Sequence, residues 1–142
     1  MAINTGKVIA GGLVAGVVMN VIDVVLNYFV FAESMRTELD VLNPTLWSGL
    51  QGVDTMVGFV VLDFVLGFLA VLTYAAIRPR FGPGAGTAIK AGLLVWAISG
   101  ATWAFLTVMG IFSTGFLLIS GAGALVNFLV STTAGARFYT EA

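Results

Sequence analysis

The sequence predicts an all-α membrane protein, four transmembrane helices in an up-down-up-down bundle. Three observations predict it. Of 142 residues 59% are apolar and only 9% charged, and mean hydropathy is +1.06; a soluble domain carries about 25% charged residues. Uncharged runs exceed the roughly 18 residues that mark a membrane-spanning helix. Apart from Asp23 and Asp63, the few charges gather at or between the ends of those runs. The length fits one domain, residues 1–142.

The first span covers about residues 8–31. Lys7 precedes it, and the apolar run continues past Asp23 to Phe31. That is longer than the apolar part of a cleavable leader, so the segment is expected to stay as a helix. The connection 32–53 is the only long one. Met35, Leu39 and Leu42 fit one face of a short helix. Asn43-Pro44-Thr45 reads as an N-cap followed by proline at the first helical position. Leu46, Trp47 and Leu50 then keep helical spacing. One or two short helices lying at the membrane interface, anchored by Trp47, are expected.

The second span covers about 54–77. The turn after it, RPRFGPGAGT over 78–87, has proline and glycine to end one helix and begin the next, with Thr87 as a cap. Arg78, Arg80 and Lys90 are placed to meet lipid headgroups. The third and fourth spans cover about 88–111 and 115–138. Lys7, Arg78, Arg80, Lys90 and Arg137 fall on one side of this topology, so five of the six basic residues share a side. The positive-inside rule then puts both termini in the cytoplasm and 32–53 outside.

Each span carries a stripe of small or polar residues. The stripes are Gly12, Gly16, Asn20, Asp23 and Asn27; Asp63, Gly67, Ala70 and Tyr74; Gly92, Trp96, Ser99, Trp103 and Thr107; and Gly123, Asn127, Ser131 and Ala134. Spacings of three and four put each set on one helix face. In lipid, small residues allow helices to approach and polar ones bond across, so the stripes should face inward. At about 1.5 Å per residue, Asp23 lies about 12 Å and Asp63 about 13–14 Å from the outer ends of their spans. Asn20, Asp23, Asn27, Asp63 and Asn127 form one polar layer on this reading, somewhat outside the midplane. Two ionised carboxylates there would each cost about 2.5–3.5 kcal/mol and repel each other, so at least one is expected to be protonated at pH 7. Trp96 and Trp103 share a face and could line a site for an organic cation.

The second and fourth spans align: Asp63 with Asn127, Phe64 with Phe128, Gly67 with Ser131, Ala70 with Ala134 and Tyr74 with Phe138. Residues 11–16, GGLVAG, match 91–96, AGLLVW, more loosely. Two tandem helical hairpins of the same orientation follow. The stretch from Tyr74 to Gly84, YAAIRPRFGPG, resembles a turn in small bacterial four-helix inner-membrane proteins of unassigned function. The resemblance implies a bacterial inner-membrane location and no particular activity.

The chain has no Cys and no His, which removes thiol chemistry and His-ligated haem or zinc. No cofactor or metal is expected. The flanks of Asp23 and Asp63 lack the Gly-x-Gly-Asp pattern of intramembrane aspartyl proteases. The expectation is therefore a non-enzymatic membrane protein acting by association, as a homo-oligomer or an accessory subunit of a larger membrane complex. Its partners would be the lipid bilayer and other membrane subunits, with no nucleic acid. The alternative is a proton- or cation-coupled transporter or channel using the Asp23/Asp63 pair.

Overall fold

A computed structural model describes residues 3–140. The described residues form helices joined by short links. They are α1 (Thr5–Leu26), a π-helical segment (Asn27–Phe31), α2 (Ala32–Leu42), α3 (Thr45–Leu50), α4 (Val53–Phe81), α5 (Ala85–Val108) and α6 (Thr114–Ala136). Four helices are long and apolar enough to cross a membrane: Thr5–Leu42, Val53–Phe81, Ala85–Val108 and Thr114–Ala136. α1 packs on α4 and α6, α5 packs on the same two, and α4 touches α6 across the centre. The Asn4 N–H lies 3.4 Å from the Tyr139 hydroxyl, which puts both described ends of the chain at one end of the bundle. That end is called terminal here, and the end carrying residues 32–53 distal.

The helices do not stop where hydropathy drops. The connection 32–53 was expected to hold helices separate from the first span, but α2 continues α1 as one 38-residue helix. Nothing between Phe31 and Leu42 breaks a helix: Ala, Glu, Met, Arg and Leu are good formers, and the charges end only the apolar character. The π segment inserts extra residues into the turn. It rephases the helix so that Phe31 and Leu39 turn inward, each 7% exposed. Asn43 behaves as expected: its Oδ1 accepts from the Thr45 N–H at 2.9 Å and from the Thr45 hydroxyl at 2.9 Å. Trp47 on α3 is half-buried.

The terminal-end turn also differs. α4 runs through Pro79 to Phe81. A proline in the last turn removes one ladder bond without preventing the residues after it from bonding back. Gly82 is the stop: its φ is 80°, and its N–H donates to the Arg78 carbonyl at 2.8 Å. Thr87 does not cap α5. Its hydroxyl donates to the Gly82 carbonyl at 2.7 Å and the Phe81 carbonyl at 3.3 Å, so it closes the end of α4 instead.

The core is built from backbone meeting backbone. A Cβ on Gly67 would stand 2.5 Å from the Gly16 nitrogen, and one on Gly16 2.9 Å from the Phe64 Cα. On the other face of α1, a Cβ on Gly11 would stand 2.7 Å from the Gly135 carbonyl oxygen. Ala15, Ala70 and Val71 fill the space between, all 0% exposed. Such contact sums many dispersion terms of about 0.1–0.2 kcal/mol each, the main drive to associate where lipid supplies no hydrophobic one. On α5 the inward face is Ala88, Ala91, Gly92 and Val95. This corrects the stripe expected there: of its members only Gly92 is buried, and Trp103 is 41% exposed.

Gly67→Ala should therefore destabilise the bundle by about 1–3 kcal/mol through overpacking. Gly58→Ala, where nothing lies within 4 Å, should leave stability unchanged or slightly raised. Unfolding in mixed micelles, followed by far-UV circular dichroism, separates the two; equal midpoints would contradict the backbone-contact account.

Candidate functional site: a buried carboxyl–amide layer

Close approach lets short side chains reach across. Asn127, 3% exposed on α6, sits opposite Asp23 of α1. Its Nδ2 donates to Asp23 Oδ1 at 2.6 Å and to the Met19 carbonyl at 3.2 Å, and its Oδ1 accepts from the Ser131 hydroxyl at 2.8 Å. Every bonding group of that amide is used. Asp63 of α4 is 8% exposed and faces Asp23 within hydrogen-bonding reach. Three helices thus meet at one carboxyl–carboxyl–amide cluster. Interhelical bonds of this kind contribute about 0.6–2 kcal/mol each in a membrane.

The other two members of the expected layer do not join it. Asn20 donates from Nδ2 to the Gly16 carbonyl of its own helix at 2.9 Å and to the Val60 carbonyl of α4 at 3.4 Å. Asn27 is exposed and donates to the Asp23 backbone carbonyl at 2.8 Å. It opens the π segment, which carries its side chain off the inward face. Measured along α6, Asn127 lies about 20 Å from the distal end and about 14 Å from the terminal end; along α4, Asp63 lies about 15 Å and about 27 Å from them. The layer thus sits nearer the distal end of α4 and nearer the terminal end of α6.

The tryptophans part company. Trp96 donates its indole N–H to the Gly121 carbonyl at 2.9 Å and packs beside Met19, Val95 and Phe128. Trp103 stacks on Phe112 with ring centroids 5.4 Å apart. Neither indole is shown against the carboxyls. At the terminal end, the Arg78 guanidinium lies over the Tyr139 ring at 5.5 Å and the Lys90 ammonium over the Phe81 ring at 4.5 Å. Arg80 is exposed beside them.

One polar contact was not anticipated. Glu38 of α2 accepts the Ser113 N–H at 2.9 Å on Oε2 and the Ser113 hydroxyl on Oε1. Ser113 in turn caps α6, accepting from the Phe116 N–H at 3.1 Å. A serine ahead of an apolar run is a readable cap signal. Its partner, 75 positions earlier, is not. Among the described residues, no group of three or more Asp or Glu side chains could hold a metal ion.

Comparison with protein-family models, curated proteins and solved structures finds no match.

Asn127→Leu should cost about 1–3 kcal/mol, because Asp23 keeps its carboxyl and loses its donor. Adding Asp23→Leu to that variant should recover part of the loss, since an apolar pair leaves nothing unsatisfied. Strictly additive losses in a double-mutant cycle would contradict the pairing.

Proposed function

We propose that the chain is a small non-enzymatic membrane protein that acts by association, as a homo-oligomer or an accessory subunit of a larger membrane complex. One observation carries this reading. Gly58 in α4, Gly100 in α5 and Gly121 in α6 stand within spans, yet a Cβ at any of them would meet nothing within 4 Å. Glycine inside a helix costs about 0.8–1 kcal/mol relative to alanine. The glycines at 11, 16, 67 and 135 offset that cost by close contact inside the bundle. Those at 58, 100 and 121 have no such contact among the described residues, and close approach by a neighbouring helix would supply it. The polar layer supports the same reading, because its amide is fully bonded within the bundle.

The positive-inside count supports a bacterial inner-membrane protein with cytoplasmic termini. Arg78, Arg80 and Lys90 then sit at the inner headgroups.

Purification in mild detergent should give a particle heavier than one chain, or one carrying a second subunit. Gly58→Ile and Gly100→Ile should each weaken that assembly at least tenfold while leaving helix content intact. A native chain that runs as a stable monomer with no partner would overturn the proposal.

The second reading, proton- or cation-coupled transport, rests on the contact between Asp23 and Asp63 in mid-span, where ionisable groups often mark a pathway. Against it, Ala15, Ala70 and Val71 pack at 0% exposure on the terminal side of the pair. In liposomes, the association reading expects no proton flux above protein-free vesicles. A flux that both Asp23→Asn and Asp63→Asn abolish would reverse the choice.

A further inference from the structure

At the distal end a groove of about 500 Å³ runs between α2 and the turn joining α5 to α6. Its one acidic side chain, Glu38, already holds the Ser113 N–H and hydroxyl. The carboxyls of the buried layer are different. Asp63 is 8% exposed and Asp23 half-buried, and they face each other. Among the described residues the Asn127 amide is the one N–H donor to either of them, and it reaches only Asp23 Oδ1. Asn20, one turn from Asp23, commits its Nδ2 to the Gly16 and Val60 carbonyls. A proton shared by the pair engages one oxygen of each and still leaves an Asp63 oxygen without a donor. Nor does the chain bring a cation to them. Of its six basic residues, five stand toward the terminal end, and Arg36 pairs with Asp40 on α2 at 3.6 Å.

Where α4 is packed, and where it is not, is the second, independent observation. Its buried residues run from Asp63 to Ala75, and none lies on the distal side of Asp63. From Val53 to Leu62 every residue but Thr55 is exposed. The inward line through Tyr74, Ala70, Gly67 and Asp63 continues at helical spacing onto Val60 and Met56. Yet these two are 43% and 53% exposed. α5 likewise buries nothing beyond Val95. The α1–α2 helix and α6 stay packed at that level, with Phe31, Leu39 and Phe116 all buried. The distal part of α4, about 15 Å long, therefore stands open on the side that leads down to Asp63.

We propose that this open face of α4 receives a membrane-spanning helix of a different subunit, one that carries a single lysine or arginine at the depth of Asp63. The proposal rests on the association reading and names the partner's chemistry. A basic side chain brings several N–H donors and no acceptor, which matches carboxyl oxygens that lack donors. Ionisable groups within a membrane pair with one another, so a carboxyl pair at the foot of an open face fits a cation on the approaching helix. A second copy of this chain brings no basic residue to that depth, so the partner is a different chain. Gly58 lies about 140° from Asp63 around α4, so the two faces are tested apart.

The test uses the full-length chain in phosphatidylcholine nanodiscs, with synthetic leucine–alanine helices as probes and energy transfer between labels as the readout. One helix carries a lysine about ten residues from its distal end, at the depth of Asp63. A second carries leucine there, and a third carries the lysine about two turns nearer the terminal end, where α4 is packed. The first should bind at least tenfold more tightly than the other two. Asp63→Asn should remove that preference with helix content intact, and Asp63→Glu should keep it. Equal binding of the lysine and leucine helices to the native chain overturns the proposal, and so does a preference that survives Asp63→Asn. The first comparison uses no variant, so it decides even where Asp63→Asn fails to fold. A native chain that is monomeric in detergent with no partner fails the association reading; the lysine preference is measured separately and decides this site.

Discussion

The structure depends on how closely α1 can approach its two neighbours. Gly16 meets Gly67 of α4, and Gly11 meets Gly135 of α6, at separations that leave no room for a side chain. A lipid-facing leucine is as comfortable in hydrocarbon as in a protein core, so apolar area alone does not assemble these helices. Contact between backbones does, and it sets the distances available to everything else. Asn127 has one rotatable carbon beyond its Cβ; it reaches both the Met19 carbonyl and Asp23 only because α6 lies so near α1.

The polar layer is in turn a product of asymmetry between two similar halves. The buried positions of α1, Val8, Gly11, Gly12 and Ala15, recur on α5 as Ala88, Ala91, Gly92 and Val95. Those of α4, Asp63, Gly67 and Val71, recur on α6 as Asn127, Ser131 and Gly135. The packing order agrees, because α1 and α5 each contact both α4 and α6. Extending the match along the first helices sets Asp23 opposite Trp103 in register. One half thus brings a carboxyl to the centre, while the other brings an aromatic ring that leans out to Phe112 and Phe116. The two hairpins share a scaffold and differ at the level where the chemistry sits.

This explains what could be read from the chain and what could not. The four spans, Gly12, Gly16, Gly67 and Gly92, and the Asp23–Asp63–Asn127 cluster were legible because each follows from spacing on a single helix plus a depth estimate; Gly11 and Gly135 lay outside the stripes, where Ala134 stood in place of Gly135. Asn20 and Asn27 were misplaced because spacing assumes an unbroken α-helical phase. Asn27 opens a π segment and loses that phase; Asn20 finds a backbone acceptor, Val60, which no side-chain pattern reveals. In α5 the polar residues drew attention while Ala88, Ala91 and Val95 did the packing. Pro79 and Thr87 were misread for a shared reason: turn residues were assigned to the nearest predicted helix end, whereas the carbonyls needing partners belonged to α4. Phe138, aligned with Tyr74, is 53% exposed, and Tyr139 takes the buried place, its ring 5.9 Å from that of Tyr74.

The π segment links the middle of the bundle to its distal end. Without it, the face of α1 that carries Gly12, Gly16 and Asp23 would continue straight up α2. With it, the phase shifts, Phe31 packs onto Gly123 of α6, and Leu39 follows it inward. Glu38, one residue before Leu39, is thereby aimed at the first turn of α6 and meets Ser113 there. A carboxylate at a helix N-terminus is favoured by the unpaired N–H groups and the dipole alike. The same rotation leaves Thr37, Val41 and Leu42 facing the α5–α6 turn across the groove rather than in contact with it. A local change of helical register beside Asp23 thus determines which side chains line the distal groove, some 20 Å away along the helix.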